Sequence, residues 1–74
     1  MTIKAKINEL KEARVKKGFS IRGLGQASGL SAATVFKIEN DVSVPLPSTA
    51  KKICDALNCK FEDLFEIAKK SEVV

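Results

Sequence analysis

Ser20–Asn40 reads SIRGLGQASGLSAATVFKIEN, and the placement of its small residues settles the local architecture. The stretch parses as a short helix, a glycine turn and a second helix ending in Ile38-Glu39-Asn40. Ser20 and Ser31 stand where each helix needs an N-cap, a hydroxyl that accepts from the first unpaired backbone N–H groups. Three residues after Ser20 comes Gly23 rather than Glu, so the reciprocal capping box is missing. Leu24 faces a core, and Gly25 beside it lets the second helix approach closely. Gly29 takes the left-handed turn, where a β-carbon is penalised. Leu30, Val35 and Ile38 then bury one face of the second helix. Gly23 and Gly25 each cost a helix roughly 1 kcal/mol relative to Ala, so the first of these helices is held by packing rather than by propensity.

Working outward, Ile7, Leu10 and Ala13 or Arg14 recur at helical spacing, predicting a helix from about Ile7 to Lys17 with Gly18 as its stop. After Asn40 a loop covers Asp41 to Leu46, and Pro47 is suited to the first position of a fourth helix. Ile53, Ala56 and Leu57 give that helix its buried stripe, and Asn58 is a left-handed terminator. Phe61 to about Lys70 reads as a fifth helix with Leu64, Phe65 and Ala68 on one side, and the tail SEVV as a frayed end. No segment alternates with period two for long enough to demand a strand. The expectation is an all-α, compact five-helix bundle forming a single domain over residues 1–74, the most that 74 residues support.

Composition narrows the function classes. Hydrophobic residues make up 45% of the chain, enough for a core and too many for a disordered tail. No apolar run reaches membrane-span length and the start lacks a signal-peptide core, so the expected location is the cytoplasm, with no membrane partner. Cys54 and Cys59 lie five apart, a spacing that does not favour a disulfide. With no His in the chain, no metal site is expected and the cysteines read as one buried and one half-buried small residue. Catalysis lacks a His, a phosphate-cradling loop or a carboxylate pair. Gly23 and Gly25 begin a dinucleotide fingerprint only superficially, since no strand precedes them. No cofactor and no small-molecule ligand are expected. Net charge is +4, and it is uneven: residues 1–22 hold seven basic and two acidic side chains, residues 23–74 six and seven. A positive field concentrated at one end attracts phosphate backbones and acidic surfaces.

The two crossed helices at a glycine turn have the logic of a helix-turn-helix over residues 20–40, and the chain resembles the phage repressor and Cro-like, XRE-type helix-turn-helix family. The resemblance runs without a gap from about Leu10 to Phe65. It rests on Leu10, Arg14, Lys17-Gly18, Ser20, Leu24, Gly29-Leu30-Ser31, Thr34-Val35, Lys37-Ile38-Glu39-Asn40, Pro45, Thr49, Ile53, Ala56-Leu57 and Leu64-Phe65. It implies a lambda-repressor-like five-helix bundle, double-stranded DNA as partner, and a structural ion pair between Arg14 and Glu39. It further implies a homodimer on a palindromic operator, read by the helix Ser31–Asn40. The implied DNA-binding residues are Arg22, Ser31, Ala32, Ala33, Thr34, Phe36 and Lys37. The implied dimer surface is the C-terminal helix 61–70, through Phe65, Ile67 and the Val73-Val74 tail.

This chain also departs from the family pattern. Where members usually carry a phosphate-gripping Gln at the start of helix two, it has Ile21. The first turn of the reading helix is Ala32-Ala33, the base-facing position further along is Phe36, and the usually basic loop reads Asp41-Val42-Ser43-Val44. Three readings follow. The apolar face packs on thymine methyls while Lys37 reaches a base edge or phosphate. Alternatively, Phe36, Val42 and Val44 form a protein-interaction module that binds another regulator. In the third, they fold back onto the core and carry no function.

Overall fold

The computed structural model describes residues 2–68. A strand β1 (Thr2–Ala5) is followed by helices α1 (Ile7–Lys16), α2 (Ile21–Ser28), α3 (Ala32–Glu39), α4 (Pro47–Leu57) and α5 (Phe61–Leu64), then strand β2 (Phe65–Ala68). The four long helices lie within a residue or two of the positions their caps dictate. Ser20 Oγ accepts from the Gly23 N–H at 2.9 Å, and Ser31 Oγ from the Thr34 N–H at 3.1 Å. Pro47 opens α4.

Each of α1 to α4 ends in the same device, a Schellman turn, in which a left-handed residue lets the chain fold back over the last carbonyls. The left-handed residues are Gly18, Gly29, Asp41 and Asn58. The outer hydrogen bonds run from Phe19 N–H to Arg14 O (3.0 Å), Leu30 N–H to Gly25 O (2.8 Å), Val42 N–H to Lys37 O (2.8 Å) and Cys59 N–H to Cys54 O (3.0 Å). Sharp stops of this kind keep the helices short and fold them around one core. Leu10, Leu24, Val35, Ile38, Ile53 and Leu57 form its centre.

The all-α expectation is corrected at both ends of the chain. The fifth helix is a single turn. At Phe65 the backbone becomes extended (φ −139°, ψ 163°), and β2 pairs antiparallel with β1, Ile3 opposite Ile67 and Ala5 opposite Phe65. These four share one ribbon face, on which Ile3 and Phe65 enter the core, Ala5 is half-buried and Ile67 is exposed, while Lys4 and Glu66 face away. Lys6 N–H donates to Leu64 O at 2.8 Å, closing the ribbon onto α5, and the Phe61 and Phe65 rings stack with centroids 5.6 Å apart. Two four-residue strands from opposite ends of the chain stabilise each other only once the helices have brought them together.

Candidate nucleic-acid interface

The geometry of α3 begins with Gly25. A β-carbon there would lie 2.9 Å from the Leu30 carbonyl oxygen and 3.2 Å from Ala32 N. Backbone of the turn therefore packs directly on α2, fixing where α3 starts. Gly29 (φ +77°) reverses the chain. Ser31 caps α3 and its Oγ also lies 2.9 Å from Thr34 Oγ1.

Burial divides α3 cleanly. Val35, Ile38 and Glu39 are inside, whereas Ala32, Ala33, Phe36 and Lys37 are exposed and Thr34 is half-buried. Positions 32, 33, 36 and 37 recur at helical spacing, so they form one continuous outward stripe. Phe36 is 52% exposed, far more than a core aromatic. Its exposure, with that of Val42 and Val44, overturns the reading in which these side chains fold back onto the core. Leu46 is equally exposed, an addition the sequence did not single out because it immediately precedes a helix start. Arg22 is exposed at the start of α2, and Ile21 beside it is half-buried. With Lys11, Lys16 and Lys17 exposed on and just after α1, the basic groups are available to solvent along this end of the chain.

Arg14 is the basic residue of this end drawn inward. Its Nε donates to Glu39 Oε2 at 2.7 Å and an Nη to the Phe19 carbonyl at 2.8 Å. One guanidinium thus joins α1, the turn after it and the last residue of α3, the pairing the resemblance implied. Glu39 is 1% exposed and Arg14 15%. Fixing the end of α3 against α1 gives the outward stripe a defined direction. At the same end, Asn40 Nδ2 donates to Phe36 O at 2.8 Å, so α3 is held at both termini.

A model of the helix-turn-helix family, HTH_3, matches residues 10–64. The chain belongs to the XRE-type helix-turn-helix family. This helix-turn-helix protein is 38% identical over 64 residues to the HTH-type transcriptional regulator YgzD of Bacillus subtilis, covering 86% of this chain and 97% of that one. It is 37% identical over 57 residues to the HTH-type transcriptional repressor RghR of the same organism, covering 76% of this chain and 42% of RghR. It therefore spans less than half of RghR and nearly all of YgzD. Among solved structures, an HTH_3-family transcriptional regulator from Vibrio cholerae superposes with a TM-score of 0.70 at 33% identity, covering 77% of this chain and 32% of that one. These relatives are transcriptional regulators of the helix-turn-helix type, and among the described residues no helix is long and apolar enough to cross a membrane.

The residues expected at a dimer surface separate in the helix-turn-helix protein. Phe65 is 1% exposed and belongs to the core, a correction with a simple cause: the extended backbone pairs it with Ala5 and turns it inward rather than outward from a helix. Ile67 is 54% exposed. Val73 and Val74 lie outside the described residues.

Proposed function

We propose that the protein regulates transcription by binding double-stranded DNA as a homodimer at a palindromic operator, with α3 in the major groove of each half-site. The observation that carries this reading is the outward stripe of Ala32, Ala33, Phe36 and Lys37 on a helix whose start and end are both fixed. The short side chains at its beginning let the helix axis come close to the base edges. Ala32, Ala33, the Thr34 methyl and Phe36 then meet thymine C5-methyl groups, and Lys37 meets a base edge or phosphate. The Ser31 hydroxyl and Arg22 contact the flanking phosphates and supply register and charge. Two copies place their reading helices about one helical turn, roughly 34 Å, apart. Ile67, exposed at the end of the ribbon, is the apolar contribution to the contact between copies. The protein acts in the cytoplasm and takes no cofactor.

The test is binding to the DNA upstream of its own coding region against random DNA of equal length, at several salt concentrations. A preference of about a thousandfold with a steep salt dependence is expected for a specific regulator. Replacing operator thymines with uracils, which removes only methyl groups worth about 0.8 kcal/mol each when buried, weakens binding several-fold per contacted base. Weak, sequence-blind binding would move the reading to a protein-interaction module. The exposure of Phe36, Val42, Val44 and Leu46 on α3 and the loop that follows it favours that second reading. Arg22→Ala with Lys37→Ala separates the two, because it abolishes the DNA contact and spares an apolar protein contact.

A further inference from the structure

Beside the core stripe of α4, and reaching its edge at Cys54, lies a cavity of about 670 Å³, walled by Ile3, Ile67, Pro47, Phe61 and both cysteines. Of its walls, only Ile67 enters the DNA-binding reading, as the contact between copies. The five-residue spacing of Cys54 and Cys59 argued against their meeting, but that holds only for a chain that continues as helix. Asn58 is left-handed (φ 55°, ψ 44°). Asn58 N–H bonds to Asp55 O at 3.2 Å and Cys59 N–H to Cys54 O at 3.0 Å. In such a turn the residues joined by the outer bond are the pair whose side chains come together, ordinarily as a hydrophobic contact. At the end of α4 both are cysteines, and both are free thiols.

Each sulfur is lightly held. Cys54 Sγ lies 3.8 Å from the Lys60 carbonyl and Cys59 Sγ 3.4 Å from the Leu57 carbonyl, weak contacts that a χ1 rotation releases. Their accessibilities differ. Cys54 is buried and Cys59 half-buried. Burial first, then the neighbouring Cys59, push the Cys54 thiol up to about 11, so it is slow to react with an external electrophile.

We propose that Cys54 and Cys59 form a two-thiol oxidation site, at which a hydroperoxide oxidises Cys59 and Cys54 then closes an intrachain disulfide. The Cys59 thiolate attacks the terminal peroxide oxygen. The O–O bond breaks, the alcohol (water, for hydrogen peroxide) departs with the proton, and Cys59 becomes a sulfenic acid. The Cys54 sulfur then attacks the Cys59 sulfur. The S–O bond breaks, and the hydroxide that leaves takes up the Cys54 proton as water. Two thiols lose two hydrogens, and one hydroperoxide becomes an alcohol and a water. The bond fastens the last turn of α4 to the segment leading into α5, and it requires nothing of the DNA-binding face.

Intact-mass measurement of the full chain during hydrogen peroxide titration tests this directly. The wild type is expected to lose the mass of two hydrogens, retain no alkylatable thiol, stay monomeric on a non-reducing gel, and recover with dithiothreitol. Cys54→Ser is expected to stop at a Cys59 sulfenic acid that dimedone traps, and Cys59→Ser to leave Cys54 untouched at the same exposure. Two surviving wild-type thiols, or disulfides formed only between molecules, would overturn the proposal. So would a Cys59→Ser variant that oxidises as readily as Cys54→Ser.

Discussion

Gly25→Ala sets two effects of opposite sign against each other, and the structure decides the winner. Exchanging glycine for alanine inside a helix is favourable by about 0.8–1.0 kcal/mol. The new β-carbon, however, meets Leu30 O at 2.9 Å, Ala32 N at 3.2 Å and Ser31 C at 3.2 Å. All three are backbone atoms of the turn, so no side chain can rotate to relieve the contact, and α3 has to move. Overpacking of this sort costs about 1–3 kcal/mol, leaving a net loss of up to about 2 kcal/mol. In a domain of this size each kcal/mol shifts the midpoint by about 4–8 °C, so Tm is expected to fall by up to about 15 °C in a melt followed by circular dichroism. Gly23→Ala is the internal control. Its β-carbon meets the Ser20 hydroxyl at 3.3 Å and the Phe19 ring at 3.5 Å, both on side chains that can yield. That variant is expected to be neutral or stabilised by up to about 1 kcal/mol. A Gly25→Ala protein as stable as Gly23→Ala would refute the reasoning, because it would mean that the turn does not rest on α2.

Glu39→Ala removes the carboxylate partner of Arg14, whose side chain is 15% exposed. The expected loss in urea denaturation is about 3 kcal/mol, the lower end for a broken buried pair because water partly reaches the arginine. Arg22→Ala with Lys37→Ala leaves stability within about 0.5 kcal/mol of wild type and flattens the log–log salt slope of DNA binding by about 2; an unchanged slope would remove both residues from the phosphate contacts. Asn58→Gly is expected to be nearly neutral, whereas Asn58→Ala loses about 1 kcal/mol, because the left-handed conformation penalises a β-carbon without a local hydrogen-bonding side chain. The Cys54 thiol is raised from 9.0 to about 11 in the fold. The stability contributed by its neutral form is complete below pH 9 and is lost as pH climbs to about 11. Cys54→Ala should remove that share of the alkaline slope.

The helices were legible because their boundaries are local. Ser20 and Ser31 cap, Pro47 starts, Gly18, Gly29 and Asn58 stop, and each acts on backbone within a few residues of itself. Asp41 was harder to see: an aspartate tolerates the left-handed region, but nothing beside it announces that it must enter it. The ribbon was illegible for the opposite reason. Phe65, Glu66 and Ile67 fit a strand as well as Leu64, Phe65 and Ala68 fit a helix, and four residues are too few to separate period two from period 3.6. The tie is broken by Thr2–Ala5 at the far end of the chain, which no local pattern can report. Misplacing Phe65 at a dimer surface followed from that single ambiguity.

The candidate site shows the same division between identity and consequence. Ala32, Ala33, Phe36 and Lys37 were recognisable by register, yet their shared exposure follows from the burial of Val35, Ile38 and Glu39 on the other side of the helix. Glu39 is decisive here. An aliphatic residue in its place could fill the same space, but only an anion holds the Arg14 guanidinium that links α1, Phe19 and the end of α3. With that end fixed, rotation of α3 about its axis is resisted, and Phe36 stays outward instead of rolling into the core. In the proposed complex, a reading helix with few hydrogen-bonding groups depends on such fixity more than a polar one would. A methyl contact loses much of its attraction over a gap of an ångström or less, whereas a long polar side chain can adjust to reach its base.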